Sequence, residues 1–185
     1  MKTNIKKSIK LVTLLITSIL IATASADFYS QMYMKSHVGV DAAPKDLRFV
    51  EGANFSIAGG WLNPSKTVVT FSSMTGGQGV NKTYSEPVNI TNLGTSQHVF
   101  EMKFDTWTIT NSSALEYITI AIYDENNAQQ GNMIYLPGNL QGTNSTGDVI
   151  IPANANWRIE WVIRWVSDAI DTNTVDVTIM ILVKS

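Results

Sequence analysis

Between Asn156 and Val166 the chain reads NWRIEWVIRWV, which puts Trp157, Ile159, Trp161, Ile163 and Trp165 on every second position with Arg158, Glu160 and Arg164 between them. A period of two belongs to a strand. In a helix the three indoles would spread around the axis and the arginines would meet the core, whereas a strand gathers indole and isoleucine on one face. After the polar turn Ser167 to Asn173, the stretch Thr174 to Lys184 repeats the pattern with Val175, Val177, Ile179, Ile181 and Val183. The two runs predict a hairpin in the heart of a sheet. Each large side chain buried there contributes roughly 1.5 to 3 kcal/mol gross, so the upstream chain must supply strands that cover the pair.

The first 26 residues stand apart. Lys2, Lys6, Lys7 and Lys10 form a basic start, Leu11 to Ala22 an apolar run and Ala24-Ser25-Ala26 a small-residue cleavage site, the pattern of an export signal cleaved before Asp27. An apolar run of about a dozen residues falls short of the ~18 to 20 that span a bilayer, so the expected mature protein is secreted, extracellular and without a transmembrane anchor. Without those four lysines, nine basic residues face fifteen acidic ones, a net charge of −6. Nucleic acid and anionic membranes are poor partners for such a chain. With 44% hydrophobic residues and no cysteine, its stability has to come from a core, from assembly or from bound ions.

The mature start, DFYSQMYMKSHVGV (27–40), alternates as well. Phe28, Met32, Met34, Val38 and Val40 share one parity, with Ser30 and Ser36 among them, and Tyr29, Gln31, Tyr33, Lys35 and His37 share the other. This predicts a long amphipathic strand, set off by Ala42, Ala43 and Pro44 from the remaining domain at 41–185. Further strands are expected at Leu47 to Val50, Phe55 to Ala58, Thr67 to Met74, Pro87 to Asn92, His98 to Thr110, Leu115 to Tyr123, Met133 to Leu136 and Val149 to Ile151. A flexible glycine run is expected at Gly76 to Gly79 and a long exposed loop at 138–147. Nine or ten short strands with turn signals between them argue for an all-β fold, a two-sheet, jelly-roll-like β-sandwich.

Enzymatic templates fail in turn: there is no cysteine nucleophile, no G-x-S-x-G elbow, no H-E-x-x-H and no phosphate loop. His37 and His98, the two histidines, have no ligand-spaced partner. No enzyme and no cofactor are expected. Asp124 and Glu125, with Asp168 and Asp171, carry the hard oxygens that calcium takes, but without EF-hand spacing, and solvated turns contain the same residue types. Five N-x-[S/T] sequons, at Asn54, Asn81, Asn89, Asn111 and Asn144, make an exported chain a candidate for glycosylation. Trp61 and Trp107 fall outside the central pattern and are candidates for stacking on sugar rings.

These features together resemble the archaeal bundling pilins and, less closely, the TasA-type biofilm fibre subunits: an exported cysteine-free β-sandwich, an aromatic-rich strand directly after the signal (FYSQMYMKSHVGV), a middle strand of the type YSEPVNITNLGTSQHVFEMKF, and a close IPANANWRIEWVIRWVSDA followed by NTVDVTIMILVK. The likeness spans the mature chain, and DFYSQMYMKS departs from the FFSD-type opening of the bacterial fibres. It implies a homopolymer built by donor-strand complementation, with Phe28, Met32, Met34, Val38 and Val40 filling a groove in the next subunit and with neighbouring filaments or cell-surface glycans as further partners. A strand of about 14 residues at roughly 3.3 Å each is long enough to complete a neighbour's sheet edge. The other class left open is a monomeric exported module for glycans or the surface layer, with residues 27–40 folded into their own sheet.

Overall fold

The computed structural model describes residues 29–35, 46–137 and 144–184, and for 29–35 the strand and its pairing only. The strands are β1 (Tyr29–Lys35), β2 (Leu47–Glu51), β3 (Gly60–Leu62), β4 (Val68–Phe71), β5 (Gly77–Gln78), β6 (Lys82–Asn92), β7 (His98–Ile109), β8 (Leu115–Tyr123), β9 (Gln129–Tyr135), β10 (Val149–Ile151), β11 (Asn156–Trp165) and β12 (Val175–Lys184). No helix occurs among the described residues. Sheet A runs β10-β7-β12-β1-β4-β3, and sheet B runs β2-β6-β11-β8-β9 with β5 laid against the end of β11. One apolar core joins them, giving a sandwich-like all-β fold.

The alternation in β11 and β12 is realised: Trp157, Ile159, Trp161, Ile163 and Trp165 are buried, as are Val177, Ile179, Ile181 and Val183, while Val175 is half-buried at the strand start. The expected hairpin is not. β11 lies between β6 and β8 in sheet B, while β12 lies between β7 and β1 in sheet A. The two apolar faces meet across the core instead of sharing a sheet, and residues 166–174 carry the chain from one layer to the other, pinned by the buried Ala169. Alternation specifies that a strand has a wet and a dry face but says nothing about which layer holds it, so hairpin and crossover read alike.

Three smaller expectations are corrected. β6 begins at Lys82, not at Pro87, because the register slips between Trp161↔Tyr84 and Ile159↔Val88. That bulge places Pro87 where no ladder donor is needed. Phe55 to Ala58 forms a turn, closed by Ala58 N donating to Asn54 O at 2.9 Å and left through Gly59 at φ +66°, a left-handed conformation that glycine enters without penalty. Phe55 and Ala58 are buried and Ile57 is exposed, the three-residue spacing of a helical turn. The glycine run is no free loop, since Gly77 and Gln78 pair in parallel with Arg164 and Trp165. A side chain at Gly76 would collide with the Trp165 ring, so the glycine permits the close approach.

Candidate functional site: the slot in sheet A

β1 is a central strand of sheet A. It pairs antiparallel with β12 from Tyr29↔Lys184 to Lys35↔Thr178 and parallel with β4 at Tyr33↔Val68 and Met34↔Val69. Without it, sheet A is two pieces, β10-β7-β12 and β4-β3, with a gap one strand wide. The register sets Met32 and Met34 opposite Ile181 and Ile179, whose side chains are fully buried. Phe28, Val38, Val40, the export signal at 1–26 and the Ala42 to Pro44 break lie outside the described residues.

Beside that slot, between the two sheets, lies a cavity of about 1130 Å³. Its walls are the continuation of the same slot: Val175 to Thr178 of β12 on one side and Thr70 and Phe71 of β4 on the other. Its floor is the dry face of sheet B, including Ile118, Trp161, Ile163 and Trp165. Phe71 packs edge-on against Trp161 with ring centroids 6.1 Å apart. Among the described residues no strand pairs with Val175 to Val177 on the side away from β7. Trp161 is buried at 6% exposure, and its Nε1 has no acceptor among the described residues. Trp157, on the same strand, differs: its Nε1 donates to Glu125 Oε2 at 3.0 Å.

The four acidic candidates for calcium are not brought together. Asp124 Oδ1 accepts from Asn126 N at 2.8 Å and Ala128 N at 2.9 Å, closing the β8–β9 turn, and Glu125 Oε1 accepts from Asn156 N at 2.8 Å. Those two sit at the start of β11. Asp168 and Asp171 follow its end, about 30 Å away at ~3.3 Å per residue. Among the described residues no group of three or more acidic or histidine side chains converges to hold a metal. The sequence signals solvated turns and calcium loops alike, and here Asp124 is visibly a turn residue.

The sequons divide by exposure. Asn81, Asn111 and Asn144 are exposed, the Asn111 side chain bonding its own sequon at Ser113 Oγ (2.7 Å). Asn54 is half-buried and accepts from Ser85 Oγ and Glu86 N at 3.0 and 3.1 Å. Asn89 is a correction: it lies inside β6 at 6% exposure, and its Nδ2 donates to Glu86 Oε1 at 2.8 Å. A glycan has no room to leave that position in the folded sheet. Of the two unplaced tryptophans, Trp61 is 58% exposed on the edge strand β3, and Trp107 lines the cavity with its ring 5.0 Å from that of Tyr135. The orphaned Trp161 indole carried no signal in the sequence, where it reads as one core residue among five.

Among the described residues no helix is long and apolar enough to cross a membrane. Compared with known proteins, the chain matches no family model and no curated protein sequence.

Proposed function

We propose that the chain is the structural subunit of an extracellular filament, a pilus, fibre or tube, in which residues 27–40 of each copy occupy the slot between β4 and β12 of the next. The position of β1 carries this reading. A strand from the N-terminal end of the chain sits in the middle of a sheet, hydrogen-bonded on both sides, and eleven residues separate it from β2. Those eleven can reach at most about 40 Å when extended, enough to pass the strand to a neighbour. The slot presents two unsatisfied strand edges and a buried apolar floor to any strand that enters. Because the donated strand and the accepting slot are different surfaces, the contact does not close on itself and generates a filament. Exposed sequons at Asn81, Asn111 and Asn144 suit a glycosylated outer surface.

Electron microscopy of the mature chain in negative stain tests the proposal: filaments are expected, and a monodisperse monomer at high concentration overturns it. One observation favours the second reading, a monomeric exported module for glycans or the surface layer. β1 pairs here within its own chain, and Trp61 offers an exposed aromatic face. Under that reading the strand never leaves, and oligosaccharides shift the tryptophan fluorescence of a monomer.

A further inference from the structure

We infer that a trough on the outer face of sheet B is the seat of an N-linked glycan carried by Asn81 of the same chain, with the sugars laid along β8 from Tyr117 toward Tyr123. This rests on the glycosylated outer surface proposed above and adds to it which sequon holds an ordered glycan and what that glycan lies on.

The sheet builds the trough residue by residue. Tyr117, Thr119, Ala121 and Tyr123 alternate along β8 with the buried Ile118, Ile120 and Ile122, so they share the outward face. The two small members stand between the two tyrosines. The ladders set Val162 and Glu160 of β11 beside Thr119 and Ala121 on one side and Ile134 of β9 beside Thr119 on the other. Together they line a groove of about 480 Å³, inside the range of small-ligand clefts. From Tyr117 to Tyr123 it runs roughly 20 Å along the strand.

Asn81 stands at the Tyr117 end. It lines the groove, it is exposed, and its Oδ1 accepts from the Tyr117 hydroxyl at 2.5 Å. Its Nδ2, the atom that carries an N-linked sugar, makes no hydrogen bond among the described residues. Glycosylation joins Nδ2 to the anomeric carbon as the bond from that carbon to a lipid-linked phosphate donor breaks, and Nδ2 gives up one proton. Oδ1 keeps its lone pairs, so the Tyr117 tether survives the modification. Asn111 differs: its side chain bonds its own Ser113, and it lines neither this groove nor the cavity between the sheets.

The lining suits a neutral polyhydroxyl chain. Glu160 pairs with Arg158 at 3.0 Å, and Arg164, beside Tyr117 in the ladder, pairs with Glu116 at 2.6 Å. Charges matched in this way leave little field for an ionic ligand. The remaining lone pairs of Glu160 and the amide of Gln129, which also lines the groove, can meet sugar hydroxyls. Ala121, Val162 and Ile134 offer apolar surface to the C–H face of a pyranose ring.

The mature chain, secreted by a host that adds high-mannose glycans, is treated in its folded form with an endoglycosidase that cuts within the chitobiose core, and release at Asn81 and Asn111 is followed by glycopeptide mass spectrometry. Release at Asn81 is expected to be about threefold to tenfold slower, the range that an aromatic contact provides. Thr119→Trp, which fills the middle of the trough, and Tyr117→Phe, which removes the tether and keeps the ring, are expected to bring Asn81 toward the Asn111 rate and to leave Asn111 unchanged. Equal rates in the unsubstituted chain, or a slow Asn81 that neither variant quickens, overturn the inference while the glycosylated surface stands. An unmodified Asn81 beside a modified Asn111 does the same. If neither asparagine is modified, the glycosylated surface falls as well. If Asn81 is unprotected and free N,N′-diacetylchitobiose shifts the Tyr117 and Tyr123 ring resonances of the unglycosylated chain, the trough serves sugars from outside and the inference is overturned.

Discussion

Sheet B is continuous: β11 pairs along its length with β8 on one side and with β6, then β5, on the other. Sheet A is continuous only through β1, a strand that enters from the N-terminal end and joins two pieces that otherwise share no ladder. One layer is therefore intrinsic to residues 46–184, and the other is completed by a segment that can in principle come from anywhere. Deleting residues 27–40 should have the largest effect of any change. It leaves an open gap over an apolar floor, so the expected outcome is loss of filaments and an aggregation-prone chain, with assembly competence of the slot restored by added peptide DFYSQMYMKSHVGV. Filaments from the truncated chain, seen by negative stain, would mean that the two sheets do not divide the work in this way.

A point change sharpens the same contrast. Met32 pairs with Ile181, which is fully buried, so Met32→Asp is expected to bring a carboxylate to an apolar level of the ladder at a cost of at least several kcal/mol. Sedimentation should show assembly blocked while the near-ultraviolet signal of the sheet B tryptophans stays intact. Gln31→Ser, one residue away on the other parity, should assemble normally. Equal loss in both variants would point to backbone disorder and not to the slot.

The long strands of both sheets were legible because period-two alternation is a statement about one strand and its two faces. Trp157 to Trp165, Phe100 to Phe104 and Ile179 to Val183 needed no neighbour to be read. The pairing of strands was less legible, for a physical reason: β11 and β12 present equally apolar faces whether they lie side by side or face to face. Bulges hid too, since Pro87 marks a strand start and a ladder irregularity with the same chemistry. Of the candidate site, the strand at 29–35 could be read directly. The cavity could not, because it arises from how β4, β12 and the dry face of sheet B are placed around it. Burial of Asn89 on its strand was equally invisible, as the sequon pattern carries no exposure.

A smaller, local test lies wholly inside sheet B. Glu125 holds the start of β11 through two bonds, from Asn156 N at 2.8 Å and from Trp157 Nε1 at 3.0 Å. Glu125→Ala leaves the part-buried indole donor unmet, so denaturant unfolding of the subunit should lose about 1 to 3 kcal/mol. The slot is at the other end of β11, and filaments should still form from the folded fraction. Loss of assembly without loss of stability would break the separation between the sheets.

The smallest expected effect concerns two tyrosines that titrate in opposite directions. Burial raises the Tyr135 phenol above its ordinary value near 10, where its ring packs on Phe104 and Trp107 of sheet A at 5.7 and 5.0 Å. Burial also pushes Tyr84 upward, but hydrogen bonds with Thr75 and the charge and hydrogen bond of Lys82 outweigh it, leaving Tyr84 below that value. A raised folded pKa favours the neutral phenol, so the Tyr135 contribution to stability is complete below the unfolded value near 10 and is lost as pH climbs through the folded one. Tyr84 has the opposite sign: its contribution appears as pH rises through its lowered folded value and is complete above about 10. Absorbance near 295 nm should therefore show an early step removed by Tyr84→Phe and a late step removed by Tyr135→Phe. In the chain lacking residues 27–40, sheet A loses its central strand, so the late step should move back toward 10 while the early step, held by contacts to Thr75 and Lys82 alongside sheet B, stays. Two unmoved steps would mean that β7 keeps its packing without the strand, which would erase the difference between the layers.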